Sequence, residues 1–218
     1  MDCRGSEKRR LIVEKYKVTP EAHIQLLEGQ RKHSDAGQII YNDYYIFEAV
    51  NKTDKTKEII QCGMGAARDF LRLLNHKGLP VFNPLHQDKI LENCHNQQTK
   101  NNGYTRKSQT NWNPISIQLY NAIMWIIVII DAKPDTPIFK IKNEIYQCKN
   151  KKPLSNQIKA VNTIISKTLP NTTLTESINI LKTKNNIRTD VCQFDLLINE
   201  INSMTDKFGK PLNIQPLF

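Results

Sequence analysis

The chain has 218 residues, a formal net charge of +10 at pH 7 and a sequence pI near 9.4. Its length allows one large domain or two small ones, and its hydrophobic content of 39% excludes a wholly disordered chain. The excess of basic residues makes an anionic partner the first expectation, with nucleic acid as the leading class.

Composition offers a second explanation for this charge. The basic residues are 23 Lys and 8 Arg, and Asn and Ile are abundant too, which is typical of AT-rich codon usage. Arginine, the better bidentate ligand of phosphate and guanine, is scarce. The charge alone therefore favours nucleic-acid binding without deciding it.

The cysteines and the apolar segments predict a cytoplasmic protein with no membrane role. Five cysteines lie far apart, an odd number that is typical of reduced thiols: Cys3, Cys62, Cys94, Cys148 and Cys192. We find no secretory segment and no lipidation motif. The longest apolar run, Ala122–Ile130, has nine residues, whereas a membrane-spanning helix needs about 20.

The first 95 residues predict a mixed α+β portion. Residues 6–17 favour a short helix, and Thr19-Pro20-Glu21 is a start signal for a second helix that runs to Gly29 or His33. Alternating aromatic and aliphatic residues then predict a β-hairpin over 43–62. After the turn Gly63-Met64-Gly65, apolar spacing predicts a helix over 66–77, ended by Gly78 and Pro80.

Residues 113–218 predict a helical portion around a buried helix over 114–131. Asn113 is a suitable N-cap, and Pro114 suits the first helical position. The β-branched run Ile126–Ile130 keeps a buried strand open as the alternative.

Further helix starts follow at Pro137, at Ser155, at the capping box Thr173-Leu-Thr-Glu176 and at Thr189 or Asp190. The predicted fold is therefore α+β, with an N-terminal β-hairpin and helices packed on a mainly helical C-terminal bundle of about five helices.

The glycine turn is the first candidate site. A strand that leads through Gly63 and Gly65 into a helix presents free N–H groups to a phosphate. Arg68 replaces the third small residue of the dinucleotide fingerprint, and no βαβ unit is predicted, so tight strand-to-helix packing is the simpler reason for the glycines. Arg68 and Arg72 stay as candidates for contact with a nucleic-acid backbone.

A zinc site is the second candidate. Hairpin, cysteine and helix in this order resemble the second half of a treble-clef zinc finger, a resemblance of shape over about a quarter of the chain. Enough nitrogen and sulfur ligands for tetrahedral coordination lie within 34 residues: Cys62, His76, His86, Cys94 and His95. The C-x-x-C knuckle is missing, so scattered, separate side chains are the alternative interpretation.

A Mg²⁺-dependent nuclease is the third candidate. If the apolar run is a strand, Asp131-Ala132-Lys133 resembles the second half of the PD-(D/E)xK signature, in which two carboxylates hold Mg²⁺ and lysine orients water. No acidic residue lies between Glu92 and Asp131, so the partner carboxylate is expected at Asp88 or Glu92, both in a predicted helix.

The basic polar loop over 96–112 is the fourth candidate. Aromatic side chains that stack on bases are interleaved there with basic side chains that contact phosphate: Lys100, Tyr104, Arg106, Lys107 and Trp112. A second basic cluster, Lys149, Lys151 and Lys152, joins two predicted helices and has no aromatic residue in its sequence. Both segments are also compatible with plain solvated loops.

Three functional hypotheses follow from these candidates. The leading one is a cytoplasmic, non-enzymatic nucleic-acid-binding or interaction protein that needs no cofactor and contacts the phosphate backbone through basic loops. The second is the Mg²⁺-dependent nuclease. The third is a protein–protein adaptor with no nucleic-acid role, in which the charge reflects codon usage.

Overall fold

A computed structural model describes residues 1–27, 29–83, 112–133, 136–184 and 193–218. The fold is α+β with a helical C-terminal region, as the sequence predicts. The elements in chain order are α1 (Ser6–Lys15), β1 (Tyr16–Gln25), β2 (Lys32–His33), β3 (Ile39–Ile40), β4 (Asp43–Asn51), β5 (Lys57–Gly63), α2 (Met64–Leu73), α3 (Pro114–Ile130), α4 (Pro137–Gln147), α5 (Ser155–Thr168), α6 (Leu174–Lys184) and α7 (Asp195–Asn202).

The chain divides into two compact units. The first, called here the sheet unit, comprises Met1–Leu85 and Asp131–Lys140. The second, called here the helical unit, comprises His86–Ile130 and Ile141–Phe218. Within the described ranges, none of the helices combines the length and the apolar character that crossing a bilayer requires.

The sheet unit is built on three antiparallel strands in the order β1-β4-β5. The predicted hairpin is confirmed: β4 and β5 pair from Tyr44 opposite Gly63 to Val50 opposite Lys57. Side chains of Asn51 and Asp54 accept backbone N–H bonds within the turn, at 2.9 Å each. Short polar side chains that bond their own backbone are what such a turn needs.

The helix predicted from Thr19 towards His33 is wrong, because Tyr16–Gln25 forms β1 at the edge of the sheet. Val18, Ala22 and Ile24 are buried at period-two spacing, with a register shift between Pro20 and Ala22. Proline is tolerated on an edge strand and at a bulge, so the residue that suggested a helix start is compatible with this strand. Pairing with β4 outweighs the local helix signal.

Helix α2 packs on the sheet and α1 packs against α2. Phe47, Ile60, Ala67 and Phe70 are fully buried between them. The helix predicted over 66–77 begins two residues earlier and ends at Leu73. Asn75 ends it with a left-handed φ of 50°, and the N–H of His76 returns to the carbonyl of Leu71 at 2.9 Å. This Schellman-type closure stops the helix before Gly78.

Helix α3 is the centre of the helical unit, and the strand alternative for Ile126–Ile130 is wrong. Asn113 caps the helix through its side-chain oxygen, which accepts the N–H of Ile115 at 3.0 Å. Ten of the 17 residues are buried, spread around the whole circumference. A helix that is apolar on every side is stable only when other elements surround it, and α5, α6 and α7 all contact it.

Two buried amides position the remainder of the helical unit. Gln118 on α3 caps α7: its oxygen accepts the N–H of Leu196 at 3.0 Å, and its amide donates to Asp195 at 2.8 Å. Asn162 on α5 holds the C-terminal segment, donating to the carbonyl of Gln215 at 2.9 Å and accepting the N–H of Leu217 at 2.8 Å.

The predicted capping box at α6 is confirmed. Thr173 and Glu176 exchange side-chain to backbone bonds of 2.7 and 3.1 Å. The predicted starts at Pro137 and Ser155 are confirmed as the first residues of α4 and α5. Helix α7 is described from Asp195, and the predicted start at Thr189 or Asp190 lies outside the described residues.

Candidate nucleic-acid interface

Positive charge is concentrated in one stretch of the helical unit. Residues 141–184 contain eight lysines and no arginine, against two glutamates and no aspartate. This stretch of 44 residues therefore carries +6 of the formal net charge of +10. One of these lysines, Lys142, is buried, whereas Lys149, Lys151, Lys152, Lys159 and Lys167 are exposed.

The turn that follows α4 presents three of these lysines, and two hydrogen bonds attach it to the start of α3. The N–H of Asn113 donates to the carbonyl of Lys149 at 2.8 Å, and the hydroxyl of Ser116 donates to the carbonyl of Lys151 at 2.6 Å. Pro153, at the end of the turn, is buried. The backbone beneath the lysines is therefore fixed while their side chains reach solvent.

Three aromatic rings lie beside this turn. The ring centroids of Trp112 and Tyr120 are 5.3 Å apart, and Tyr146 lies 5.9 Å from each of them. The edge-on contacts of Trp112 have the geometry that aromatic rings prefer. The ammonium of Lys149 lies 5.8 Å from the centroid of Trp112 and 5.6 Å from that of Tyr146, within cation–π range. We call Trp112, Tyr146, Lys149, Lys151 and Lys152 the basic aromatic patch.

The electrostatics of the basic aromatic patch favour an anion. Lys152 pairs with Glu200 at 2.7 Å, and no other ion pair with these lysines occurs among the described residues. Tyr120, beneath the patch, has a raised pKa because burial disfavours its phenolate, and the neighbouring Tyr146 adds to the effect.

Sequence reasoning found only parts of this patch. It predicts Trp112 as a stacking residue and identifies Lys149, Lys151 and Lys152 as a basic cluster that contains no aromatic residue in its own sequence. The structure adds that Trp112 and Tyr146 lie beside this cluster. Tyr146 was missed because it lies on the apolar side of a predicted helix. Tyr146 lies close to Trp112, which is 34 residues earlier in the chain, and the local sequence gives no sign of that contact.

The sheet unit places Arg68 and Arg72 on the exposed side of α2, four residues apart. Arg72 is 76% exposed but lies 3.3 Å from the carboxylate of Asp69, which also accepts a bond of 3.1 Å from Arg9. A groove of about 280 Å³ beside Asp69 and Arg72 also has Glu7 in its wall. Acidic and basic groups alternate here, so the local charge is nearly balanced.

The glycine turn shows no packing constraint. Gly63 has an ordinary φ of −71°, and a Cβ added there would meet Ile40 at 3.5 Å, a normal contact. A Cβ on Gly65 would meet nothing within 4 Å. The packing explanation for Gly65 is therefore wrong, because this residue faces open space in the first turn of α2. Among the described residues, a positive φ, which favours glycine, occurs instead at Gly5, Gly29, Gly37, Gly78 and Gly209.

The described zinc candidates do not come together. Cys62 is fully buried, and its pKa is raised by the hydrogen bond with Cys3 and by burial. His76 uses Nδ1 to accept the N–H of Gly78 at 2.9 Å. Among the residues that the structure describes, no three His, Cys, Asp or Glu side chains are grouped to hold a metal ion. His86, Cys94 and His95 lie outside the described residues.

The nuclease motif depends on a strand before Asp131, but the structure has helix α3 there. Asp131 follows helix α3, has a left-handed φ of 49° and is 72% exposed. Its carboxylate pairs with Lys32 in the sheet unit, and Lys133 is exposed. The expected partner carboxylates, Asp88 and Glu92, lie outside the described residues. In this part of the chain Asp131 acts as a helix-terminating residue in an ion pair.

His23 and Asp43 form a pair that sequence reasoning did not predict. The Nε2 of His23 lies 2.6 Å from Asp43, its Nδ1 lies 3.2 Å from the carbonyl of Leu79, and its ring stacks on Tyr45 at 4.2 Å. Both ring nitrogens are engaged by oxygen atoms, so neither is free to act as a general base. The pair fastens the segment around Leu79 to the sheet.

Comparison with known proteins places the chain in a family. A family model described as "Uncharacterised conserved protein UCP028583" matches residues 1–209. The chain belongs to this family. The match runs through the sheet unit and most of the helical unit, so the family extends over both. No curated protein and no solved structure matches the chain.

The remaining predicted residues of the basic loop over 96–112 are not described. Lys100, Tyr104, Arg106 and Lys107 lie outside the described residues, and Trp112 is the member of the predicted set that the structure describes. Their role as phosphate or base contacts stays a prediction.

Proposed function

We propose that this family member is a nucleic-acid-binding protein that contacts the phosphate backbone through the basic aromatic patch. The observation that carries the proposal is the approach of the Lys149 ammonium to Trp112 and Tyr146 on a turn with a fixed backbone. Lysine ammonium groups supply the phosphate contacts that dominate nucleic-acid affinity. Aromatic rings beside them supply surfaces on which a base can stack.

The distribution of charge along the chain supports this proposal over the alternative that the net charge reflects codon usage alone. Drift in composition would spread lysines along the chain, whereas residues 141–184 concentrate six of the ten excess positive charges. The three lysines of the turn are also exposed, and one of them is ion-paired within the described part of the chain. We propose binding without catalysis, in the cytoplasm, where the unpaired thiols of Cys3, Cys62 and Cys148 would persist.

The first test is fluorescence anisotropy with labelled single- and double-stranded DNA and RNA, in EDTA, across a salt series. Phosphate-driven binding requires that the logarithm of affinity falls linearly and steeply with the logarithm of salt concentration. A flat and weak response for every probe would remove the proposal and favour the adaptor hypothesis.

A double variant assigns the binding to the patch. Lys149→Gln with Lys151→Gln should lower affinity for all sequences alike and reduce the salt slope by about 2, since each phosphate contact contributes about one unit. The matched control is Lys159→Gln with Lys167→Gln, which removes the same charge from the exposed side of α5. Equal losses in the two double variants would show that binding follows net charge and would remove the patch from the site.

Cys148 provides an independent map of the same surface. It is exposed and directly precedes Lys149, whereas Cys3 and Cys62 are fully buried. Alkylation followed by peptide mass spectrometry should label Cys148 in the free protein, and bound nucleic acid should slow that labelling. Cys3 and Cys62 should stay unlabelled in both states. Unchanged labelling of Cys148 at saturating nucleic acid would place the bound strand elsewhere.

A further inference from the structure

Trp112 and Tyr146 are partly exposed, and they lie together beside the exposed lysine turn. We infer that the basic aromatic patch binds single-stranded nucleic acid, with an unpaired base stacked on Trp112 and its neighbouring phosphate at Lys149. This inference rests on the proposed function and adds the class of ligand to it.

The choice of single strands follows from what an aromatic ring can reach. Bases in a duplex are stacked on both faces and paired along their edges, so a protein ring cannot lie against them unless the duplex opens. A single strand exposes base faces, and stacking of each base on a protein ring contributes to affinity with little dependence on sequence. Lysines without aromatic neighbours would instead bind single strands and duplexes through the backbone alone.

The rings are held in place before any ligand binds. Trp112 lies edge-on to Tyr120 and Tyr146, and the adjacent Asn113 is bonded to both the lysine turn and the first turn of α3. Rigid aromatic groups provide contact area at a low cost in conformational entropy. The Lys149 ammonium, within 6 Å of both ring centroids, is positioned for the phosphate that flanks a stacked base.

Tryptophan fluorescence tests this arrangement directly. The chain has two tryptophans, and Trp125 is fully buried in α3 whereas Trp112 is partly exposed. Stacking of a base on Trp112 should quench its emission. We would titrate the protein with an unlabelled single strand of DNA, the same sequence in RNA, and a hairpin duplex of equal charge. The expected result is quenching by both single strands, with at least a fivefold preference over the duplex.

Three variants assign the signal. Trp125→Phe should keep the quenching, and Trp112→Phe should lose it because the remaining Trp125 is buried. Trp112→Leu, which keeps apolar packing against Tyr120, should lower single-strand affinity by roughly fivefold to a hundredfold, the range typical of one lost stacking contact. Duplex affinity should change by less than twofold. Circular dichroism and the emission of Trp125 establish that this variant is folded.

The outcomes separate the inference from the proposed function. Salt-dependent binding with equal affinity for single strand and duplex, and no quenching, would overturn the inference while leaving phosphate binding by the patch. Unchanged single-strand affinity in Trp112→Leu would also overturn it. Absence of binding to every probe would overturn both.

Discussion

The sheet unit and the helical unit handle charge in different ways. In the sheet unit, Asp69 lies between Arg9 and Arg72, Lys57 pairs with Glu48, and Asp43 contacts His23. Residues 1–83 contain 14 basic and 11 acidic side chains. Acidic side chains nearly match the basic ones in number there, so the count of basic residues says little about a partner.

Residues 141–184 of the helical unit contain an excess of lysine that the acidic residues of the same stretch do not match in number. Residues 141–184 contain two glutamates and eight lysines. The lysine turn is attached to the start of α3 through its backbone carbonyls, and its lysine side chains take no part in that attachment. The total charge of +10 therefore conceals two regions with different charge balances. The location of unpaired charge, more than its sum, indicates where an anion would bind.

The largest expected effect is on the free energy of unfolding, from a substitution that also tests whether nucleic-acid binding depends on the sheet unit. Phe47→Ala removes a fully buried ring that packs 5.2 Å from Phe70, and it should lower the free energy of unfolding by about 3–5 kcal/mol. Urea denaturation measures this loss. The folded fraction should bind nucleic acid with unchanged affinity; a fall in affinity at a temperature where the variant is folded would break the division of roles.

A smaller effect is expected from the buried amide that organises the helical unit. Gln118→Met should lower the free energy of unfolding by about 2 kcal/mol, because the backbone N–H groups of Leu196 and Leu197 lose their acceptor. Gln147→Met, at the exposed end of α4, is the control and should stay within about 0.5 kcal/mol. Equal stability of the two variants in urea would show that α7 does not depend on this cap.

Alkaline pH should destabilise both units through Tyr44, which is buried, and Tyr120, which is partly buried. Burial raises the pKa of Tyr44, with a contribution from Asp131, and burial also raises that of Tyr120. A tyrosine whose folded-state pKa is raised contributes stability that is complete below the unfolded value near 10 and is lost as pH rises above it. The free energy of unfolding should fall by about 1 kcal/mol per such tyrosine by pH 11.

Substitution by phenylalanine identifies the groups responsible. Tyr44→Phe and Tyr120→Phe should each make the decline between pH 9 and 11 shallower, measured by urea denaturation at each pH. Tyr41→Phe is the control, since Tyr41 is 58% exposed. If the free energy of unfolding falls with pH at the same slope in Tyr44→Phe and in the unaltered protein, groups other than Tyr44 cause the loss of stability at alkaline pH.

The smallest effect is expected from the exposed arginines of the sheet unit. Arg68→Gln with Arg72→Gln removes two charges, as does the Lys149 and Lys151 double variant, but Arg72 lies beside Asp69 in a surface of mixed charge. Nucleic-acid affinity, measured by anisotropy, should change by less than twofold. A loss as large as that of the lysine variant would extend the interface to the sheet unit and remove the contrast between the two.

Local sequence signals determined much of the secondary structure. The Asn113 cap with Pro114, the capping box at Thr173 and Glu176, and the polar turn of the hairpin each satisfy backbone groups within a few residues. Such interactions depend on neighbours in the chain, so they can be found without the fold. The α+β class and the helical C-terminal region were predictable for the same reason.

Tertiary structure alone decided the edge strand and the basic aromatic patch. Tyr16–Gln25 carries a helix start signal, but pairing with β4 along its length satisfies its backbone and buries Val18, Ala22 and Ile24. Trp112, Tyr146 and Lys149 are brought together because α3 and the turn after α4 bond to each other at Asn113 and Ser116. Contacts between residues more than 30 positions apart leave no periodic mark on one sequence, so the composition could indicate an anionic partner but not the surface that would bind it.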